Sequence, residues 1–345
     1  MRTKIFTSLF AIVAFVGTMS AVETVEIGIL NYQLDESTQT AVVIAKWDVD
    51  YNNYPDIQGA LTIPSTVTYE NVTYTVASIA KDAFTECKTM TSVTIPGSVA
   101  TIGQWSFAQC EGLTSVIMED GVQTIEVCAF WSCENLVSAS IPNTVTSIEA
   151  KAFYHCRSLT TVNIPTSITA IPKEMFNGCT NLSSLSIPSN ITSIGEYAFG
   201  GCGFVSMTVP STITVIDKAV FWKCANLVEV TIPASVTEIK NIAFKGCSSL
   251  ARIYNQRTTP ANAYSDVFDG VDKFNCTLYV PEASIDMYSN AAVWRDFYNI
   301  EAIEDAMAID EVEVDGSHGQ KVIRDGKVLI ERGDKTYTLQ GAEVQ

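Results

Sequence analysis

Ile141-Pro142-Asn143-Thr144-Val145-Thr146-Ser147-Ile148-Glu149-Ala150-Lys151-Ala152-Phe153-Tyr154-His155-Cys156-Arg157-Ser158-Leu159-Thr160-Thr161-Val162-Asn163-Ile164-Pro165 begins and ends on the same dipeptide, Ile-Pro. Its central ring, Phe153, has counterparts at Phe84, Phe107, Phe130, Phe176, Phe199, Phe221 and Phe244, at steps of 23 residues with one step of 22 between Phe199 and Phe221. A cysteine follows each ring three residues later: Cys87, Cys110, Cys133, Cys156, Cys179, Cys202, Cys224 and Cys247. A period of this size marks a solenoid, whose units are too small to bury their own apolar faces and therefore stack on one another.

Within the unit, Val162 and Ile164 alternate with polar residues and end at Pro165, which lacks the N–H a ladder needs and terminates the strand. Val145 to Ile148 is a second short extended piece, rich in β-branched residues. Glu149 to Cys156 places Ala152, Phe153 and Cys156 on one side of about two helical turns. Strand, bend, short strand and helical turn make one coil, so the expected fold is an α/β repeat solenoid, a right-handed superhelix of 23-residue units. Eight units span residues 79–253. The sixth is one residue short, with Pro210 only eight after Cys202, which marks a defect near Gly200, Gly201 and Gly203 and a bend in the superhelix.

Solenoid ends expose core and need covers. Residues 22–78 do not repeat, and their alternating segments Val25 to Leu34 and Ala41 to Val49 read as a β-rich N-terminal cap. Residues 254–303 leave the period and carry Tyr288, Trp294, Phe297 and Tyr298, which read as a C-terminal cap. Seven acids and no base lie between Glu301 and Asp315, so 304–315 reads as a solvated linker. Residues 316–345 read as a small tail of three strands around Asp325-Gly326 and Gly333-Asp334.

The first 21 residues have a basic end (Arg2, Lys4), an apolar run from Ile5 to Met19 and small residues at Ser20 and Ala21. That is the pattern of a secretory signal peptide cleaved after Ala21. No other stretch is long and apolar enough to span a bilayer, so the mature chain is expected to be secreted or held at the cell surface. The net charge of −17 disfavours nucleic acid and anionic lipid as partners. Ten cysteines in an exported chain suggest disulfides. Eight of them share one repeat position, however, and side chains stacked in parallel do not turn toward each other as a bridge requires. A ladder of buried thiols is favoured, with Cys128 and Cys276 out of register.

The repeat Ile-Pro-x-x-Val-Thr-x-Ile-x-x-x-Ala-Phe-x-x-Cys-x-x-Leu resembles the BspA-type leucine-rich repeats of surface and secreted proteins, over roughly residues 55 to 303. Ser106, Met175 and Val220 depart from the usual Ala, and Met90 from Leu. The resemblance implies a leucine-rich-repeat superhelix, adhesion to host or bacterial partners, and no shared catalytic residues. The tail resembles one found on exported proteins of Bacteroides-like bacteria, which implies a sorting or anchoring segment.

Signals for an enzyme are few. The only histidines are His155, beside Tyr154 and expected on a solvent-facing turn, and His318 in the tail. There is no Gly-rich phosphate loop, no zinc-type Cys/His cluster and no EF-hand spacing in Asp35 to Asp56, so no cofactor and no metal is expected. Two surfaces are candidates for binding. Trp131, Tyr154 and Trp222 follow the repeat Phe by one residue, and Trp105 and Tyr197 precede it by two. Trp105, Trp131 and Tyr154 come from successive units and line up either as an exposed strip for ligands or as extra packing. The second surface is the outer face of the main sheet: Ser92, Thr94, Ser115, Ser138, Ser140, Thr161, Asn163, Ser184, Ser186, Ser206, Thr208, then Glu229, Thr231 and Arg252. A non-enzymatic binding protein for extracellular or host proteins is the leading expectation. The alternative is a carbohydrate-binding protein using the aromatic strip, and a flat exposed ring platform would favour it.

Overall fold

The computed structural model describes residues 22–46 and 57–303, with the tail strands Gln320–Arg324, Lys327–Arg332, Lys335–Thr338 and Glu343–Val344. The expected leader, the acidic linker and the Val49 end of the second alternating segment lie outside the described residues, among which no helix is long and apolar enough to cross a membrane. The tail strands form an antiparallel sheet of four strands, one more than the turn signals suggested.

The repeats form a solenoid whose main sheet is parallel and in register. Gly59–Thr62, Met90–Ile95, Ser115–Met118, Ser138–Ser140 and Thr161–Val162 are successive neighbours. After a gap, the ladder resumes with Ser206–Thr208, Glu229–Ile232, Arg252–Asn255, Thr277–Val280 and Asn299–Ala302. Alternation sends Val93, Val116, Ala139 and Val230 into the core while Ser92, Ser115, Ser138 and Glu229 face outward. Two-residue strands such as Thr101–Ile102, Thr124–Ile125 and Ser147–Ile148 form a second parallel ladder. It continues the sheet of Val22–Ile27, Leu30–Asp35, Thr40–Ile44 and Val72–Ile79. The alternating stretch Val25 to Leu34 is two strands, because Gly28 turns the chain at φ +66°.

The segment expected as two helical turns is not helical. In each coil the residues two before and two after the repeat Phe have positive φ, for example Trp105 (60°) and Gln109 (57°), then Lys151 (62°) and His155 (56°). The N–H groups of Trp105, Phe107 and Gln109 donate to Val127, Ala129 and Trp131 O of the next coil, at 3.1, 2.8 and 2.8 Å. Those of Ser106, Ala108 and Cys110 turn back three residues within their own coil, to Gly103, Trp105 and Phe107 O. This third ladder is a ribbon of turns. Packed helices need about 8–10 Å between axes, whereas parallel strands set neighbouring coils about 4.8 Å apart. An eight-residue helix is also marginal alone. The repeats are thus β-solenoid coils, and among the described residues the one α-helix is Ile285–Asn290.

The repeat rings form a continuous stack through the core, from Phe84 on Phe107 (5.0 Å, 11° between planes) to Phe221 on Phe244 (5.2 Å, 13°). All ten cysteines are free and buried. From Cys110 onward each ladder thiol donates to the Phe carbonyl of the coil before, as Cys110 Sγ does to Phe84 O at 3.1 Å and Cys156 Sγ to Phe130 O at 3.2 Å. That carbonyl already accepts the Cys N–H of its own coil, so the thiol completes a buried acceptor. Stacking does not end at residue 253: Phe268 stacks on Phe244 at 5.5 Å, and Trp294 and Phe297 close on Phe268 edge-to-face. Tyr298, expected to help, is 72% exposed.

The short sixth unit leaves its mark beyond the glycines. Phe204 takes the buried Leu place one residue early and packs edge-on against Phe199 at 5.5 Å. Ring separations widen to 5.8, 6.1 and 5.8 Å over Phe153–Phe176–Phe199–Phe221, and residues 182–188 pair in no strand. One coil earlier, the Asn163 side chain takes both the N–H and the C=O of Ile141, replacing ladder contacts with its own amide. The turn ribbon runs unbroken through these coils, as Phe153 to Met175 O (3.0 Å) and Phe176 to Ala198 O (2.9 Å) show.

Candidate functional site

Trp105, Trp131 and Tyr154 do meet, although the turn ribbon rather than a helix brings them together. Trp105 lies edge-on to Trp131 at 5.4 Å and 64°, and Trp131 is parallel to Tyr154 at 6.3 Å and 8°. His155 stacks on Tyr154 at 4.1 Å and 15°. It leans toward the next coil, where a Cβ on Gly178 would come within 2.2 Å of its ring. Gly178 at φ +80° provides that space. Tyr154 is therefore sandwiched between Trp131 and His155, with Lys151 Nζ 5.7 Å from its centroid. All three strip rings are partly buried. Rings stacked along the solenoid axis turn edges, not faces, to solvent. Beside them runs an open groove of about 590 Å³ floored by Val127, Cys128 and Ala150, whose lysines are paired: Lys151 with Glu174 at 3.5 Å and Lys173 with Glu196 at 3.2 Å. The second aromatic pair behaves alike, since Tyr197 meets Trp222 edge-on at 5.8 Å and Lys223 Nζ covers the Trp222 face at 4.4 Å.

The main face is of another kind. Register sets Ser92, Ser115, Ser138 and Thr161 in one column and Thr94, Ile117 and Ser140 in the next. Ser140, Thr161, Asn163, Ser184 and Ser186 are exposed, while Thr94, Ser115 and Ser138 are partly so. Ile117, which sequence reading passed over, is 52% exposed in the middle of this face. At the coil that pairs in no strand, Ser184, Leu185, Ile187, Ser206, Met207 and Thr208 line an open depression of about 490 Å³. Beyond it the columns read Ser206, Glu229, Arg252, Thr277, Asn299 and Thr208, Thr231, Tyr254, Tyr279, Glu301. Tyr254 and Tyr279 stack at 4.8 Å and 12°, and Arg252 Nε donates to Glu229 Oε2 at 2.8 Å. Both tyrosines lie outside the repeat period, so only the strand pairing reveals that they share a column.

The titratable groups show no reaction centre. Burial pushes the Cys87 thiol up to about 11 and those of Cys224 and Cys276 up to about 12, so these sulfurs are neutral and shielded. Burial, with Arg157 beside it, lowers His155. The ring is partly buried against Tyr154 instead of facing solvent. No group of three or more His, Cys, Asp or Glu able to hold a metal ion occurs among the described residues.

A sequence-family model described as BspA type Leucine rich repeat region (6 copies) matches residues 64–183 and 169–282. No curated protein matches the chain. Among solved structures, a leucine rich cell surface protein from Faecalibacterium prausnitzii A2-165 is similar at 21% identity and a TM-score of 0.50, covering 82% of this chain and 96% of that one. A leucine-rich repeat protein from Bacteroides ovatus ATCC 8483 aligns at 19% identity and a TM-score of 0.47, covering 82% and 91%. The first likeness shows the fold.

Proposed function

The chain belongs to the BspA-type leucine-rich repeat family, and from that premise we propose that it is a non-enzymatic binding protein, secreted or held at the cell surface, that docks protein partners on the outer face of its main sheet. The observation that carries this reading is the contrast in how the two candidate surfaces use their side chains. The strip spends its ring faces on its own neighbours, which leaves no flat platform for a sugar ring. The main face holds two in-register columns of outward side chains, the kind of surface repeat proteins use for recognition. The similar protein of F. prausnitzii is itself described as a cell surface protein, in keeping with an exported chain. In this reading residues 22–78 and 254–303 close the solenoid ends, and residues 316–345 direct sorting or anchoring. Unchanged localisation after deletion of 316–345 ends the last assignment.

The test is binding of the purified protein to immobilised extracellular matrix proteins and glycans, with two variants in parallel. Ser115→Lys/Ser138→Lys/Thr161→Lys crowds the main face, and Trp105→Ala/Trp131→Ala/Tyr154→Ala removes the strip. A protein ligand lost by the first variant and kept by the second supports the proposal. A glycan ligand lost only by the second replaces it with carbohydrate capture.

A further inference from the structure

The main face changes character after the depression at residues 184–208. On its N-terminal side the outward positions are hydroxyls, an amide and Ile117. On the C-terminal side Arg252 is the only cation among the outward positions of the whole face. Its guanidinium spends Nε on Glu229, and its two terminal nitrogens have no partner among the described residues. The side chain is 43% exposed. In the adjoining column stand the stacked rings of Tyr254 and Tyr279, whose edges face outward as the strip's do, but here with hydroxyls at the tip. The Tyr279 hydroxyl also has no partner among the described residues.

A planar guanidinium held by one carboxylate on its Nε side offers a second fork-shaped edge, the geometry that takes a carboxylate through two parallel bonds. Glu229 fixes the plane and neutralises half of the local charge balance without occupying that edge. The phenols beside it add a donor and rigid, partly apolar area, and Tyr and Arg are the side chains most often found to dominate interface energies. Glu301, next to Tyr279 in its column, repels an anion at the far end, so the anion is steered to the Arg252 side. The chain's overall acidity is screened beyond about 8 Å at physiological ionic strength, which leaves the contact to short-range chemistry.

We propose that Arg252, Tyr254 and Tyr279 form the anchor of the main face for an extended protein segment presenting an Asp or Glu side chain, whose carboxylate bridges the Arg252 fork and the Tyr279 hydroxyl. The inference rests on the main-face reading above and names the chemistry of its partner.

The test is selection of random twelve-residue peptides displayed on phage against the immobilised full-length protein. Enriched peptides are then synthesised and titrated against wild type, Arg252→Gln, Arg252→Lys and Tyr279→Phe, each first shown to keep the wild-type urea midpoint. The expected peptides share an Asp or Glu whose replacement by Asn or Gln weakens binding about ten-fold, as does Arg252→Gln, with no further loss when both are made. Arg252→Lys recovers only part of the loss, because an ammonium lacks the fork, and Tyr279→Phe costs a few-fold. Peptides that Ser138→Lys displaces but that need neither a carboxylate nor Arg252 overturn the anchor and leave the main-face reading standing. Peptides that ignore both Ser138→Lys and Arg252→Gln count against both. Failure to enrich any peptide counts against the anchor alone.

Discussion

The aromatic strip and the main sheet face are built by the same coils, a few residues apart in every repeat, and they teach opposite lessons about conspicuous side chains. The strip collects three large rings in successive coils, the composition of a binding site, yet its geometry is that of packing. Trp131 and His155 cover Tyr154, Trp105 meets Trp131 edge-on, and Lys223 covers Trp222. The face is made of small hydroxyls that suggest nothing by type, yet register keeps them outward in columns. Stacking along a solenoid axis explains both outcomes. Coils about 4.8 Å apart draw flat side chains at one repeat position into contact with each other, and leave short ones facing solvent.

The largest expected effect sets the scale for that comparison. Phe130 lies fully buried between Phe107 and Phe153, at 5.1 and 5.2 Å. Phe130→Ala should cost about 3–5 kcal/mol in urea unfolding through lost burial and a cavity. A cost below about 1 kcal/mol means that the stack is not what holds the coils together.

Two glycines probe how continuous the face is. A Cβ on Gly112 would meet Lys88 O at 2.3 Å, and one on Gly203 would meet Thr180 O at 2.2 Å. Both substitutions force one coil away from the last. Gly112→Ala should cost about 2–3 kcal/mol, and Gly203→Ala about 1 kcal/mol less, because the coils around Gly203 are already spread and pair in no strand there. Equal costs would show that the middle coils are no looser than the ends.

The thiol ladder beneath both surfaces adds a pH dependence. Folding raises the thiols above the model value of 9.0, to about 11 for Cys87 and about 12 for Cys224 and Cys276, because burial penalises the thiolate. Above pH 9 the unfolded chain releases thiol protons that the native chain keeps. The thiol contribution is therefore fully present below pH 9 and is lost as pH rises toward 11–12. Urea midpoints should be flat from pH 7 to 8.5 and fall beyond pH 9. Replacing Cys224 and Cys276 with Ala should lessen that fall, and an undiminished slope would assign it to other groups. The smallest effect belongs to the face itself: Ser138→Lys should shift stability by no more than about 0.5 kcal/mol while weakening any partner bound there.

Much of this architecture was legible in the period. The Phe and Cys intervals place one ring and one thiol per coil, and the short step from Phe199 to Phe221 lies at the edge of the spread coils. The local form of Glu149 to Cys156 was not legible. The spacing of Ala152, Phe153 and Cys156 suits a helix and a turn ribbon equally, and the choice depends on coil separation, a property of the stack rather than of one unit. The strip's rings were found by position, but whether faces or edges meet solvent depends on the neighbouring coil, His155 and Gly178 included. Tyr254 and Tyr279 were missed as a pair because they are 25 residues apart, outside the period, and only strand pairing aligns them.

The central claim is that the strip is packing and the main face is free, and it is tested most directly by the urea unfolding of Trp131→Ala beside Ser138→Lys. The account predicts that loss of the Trp131 ring, partly buried and in contact with both Trp105 and Tyr154, costs about 2 kcal/mol, while the serine variant unfolds with wild type. A Trp131→Ala protein as stable as wild type would contradict it, returning the ring to solvent and to the role of a ligand platform.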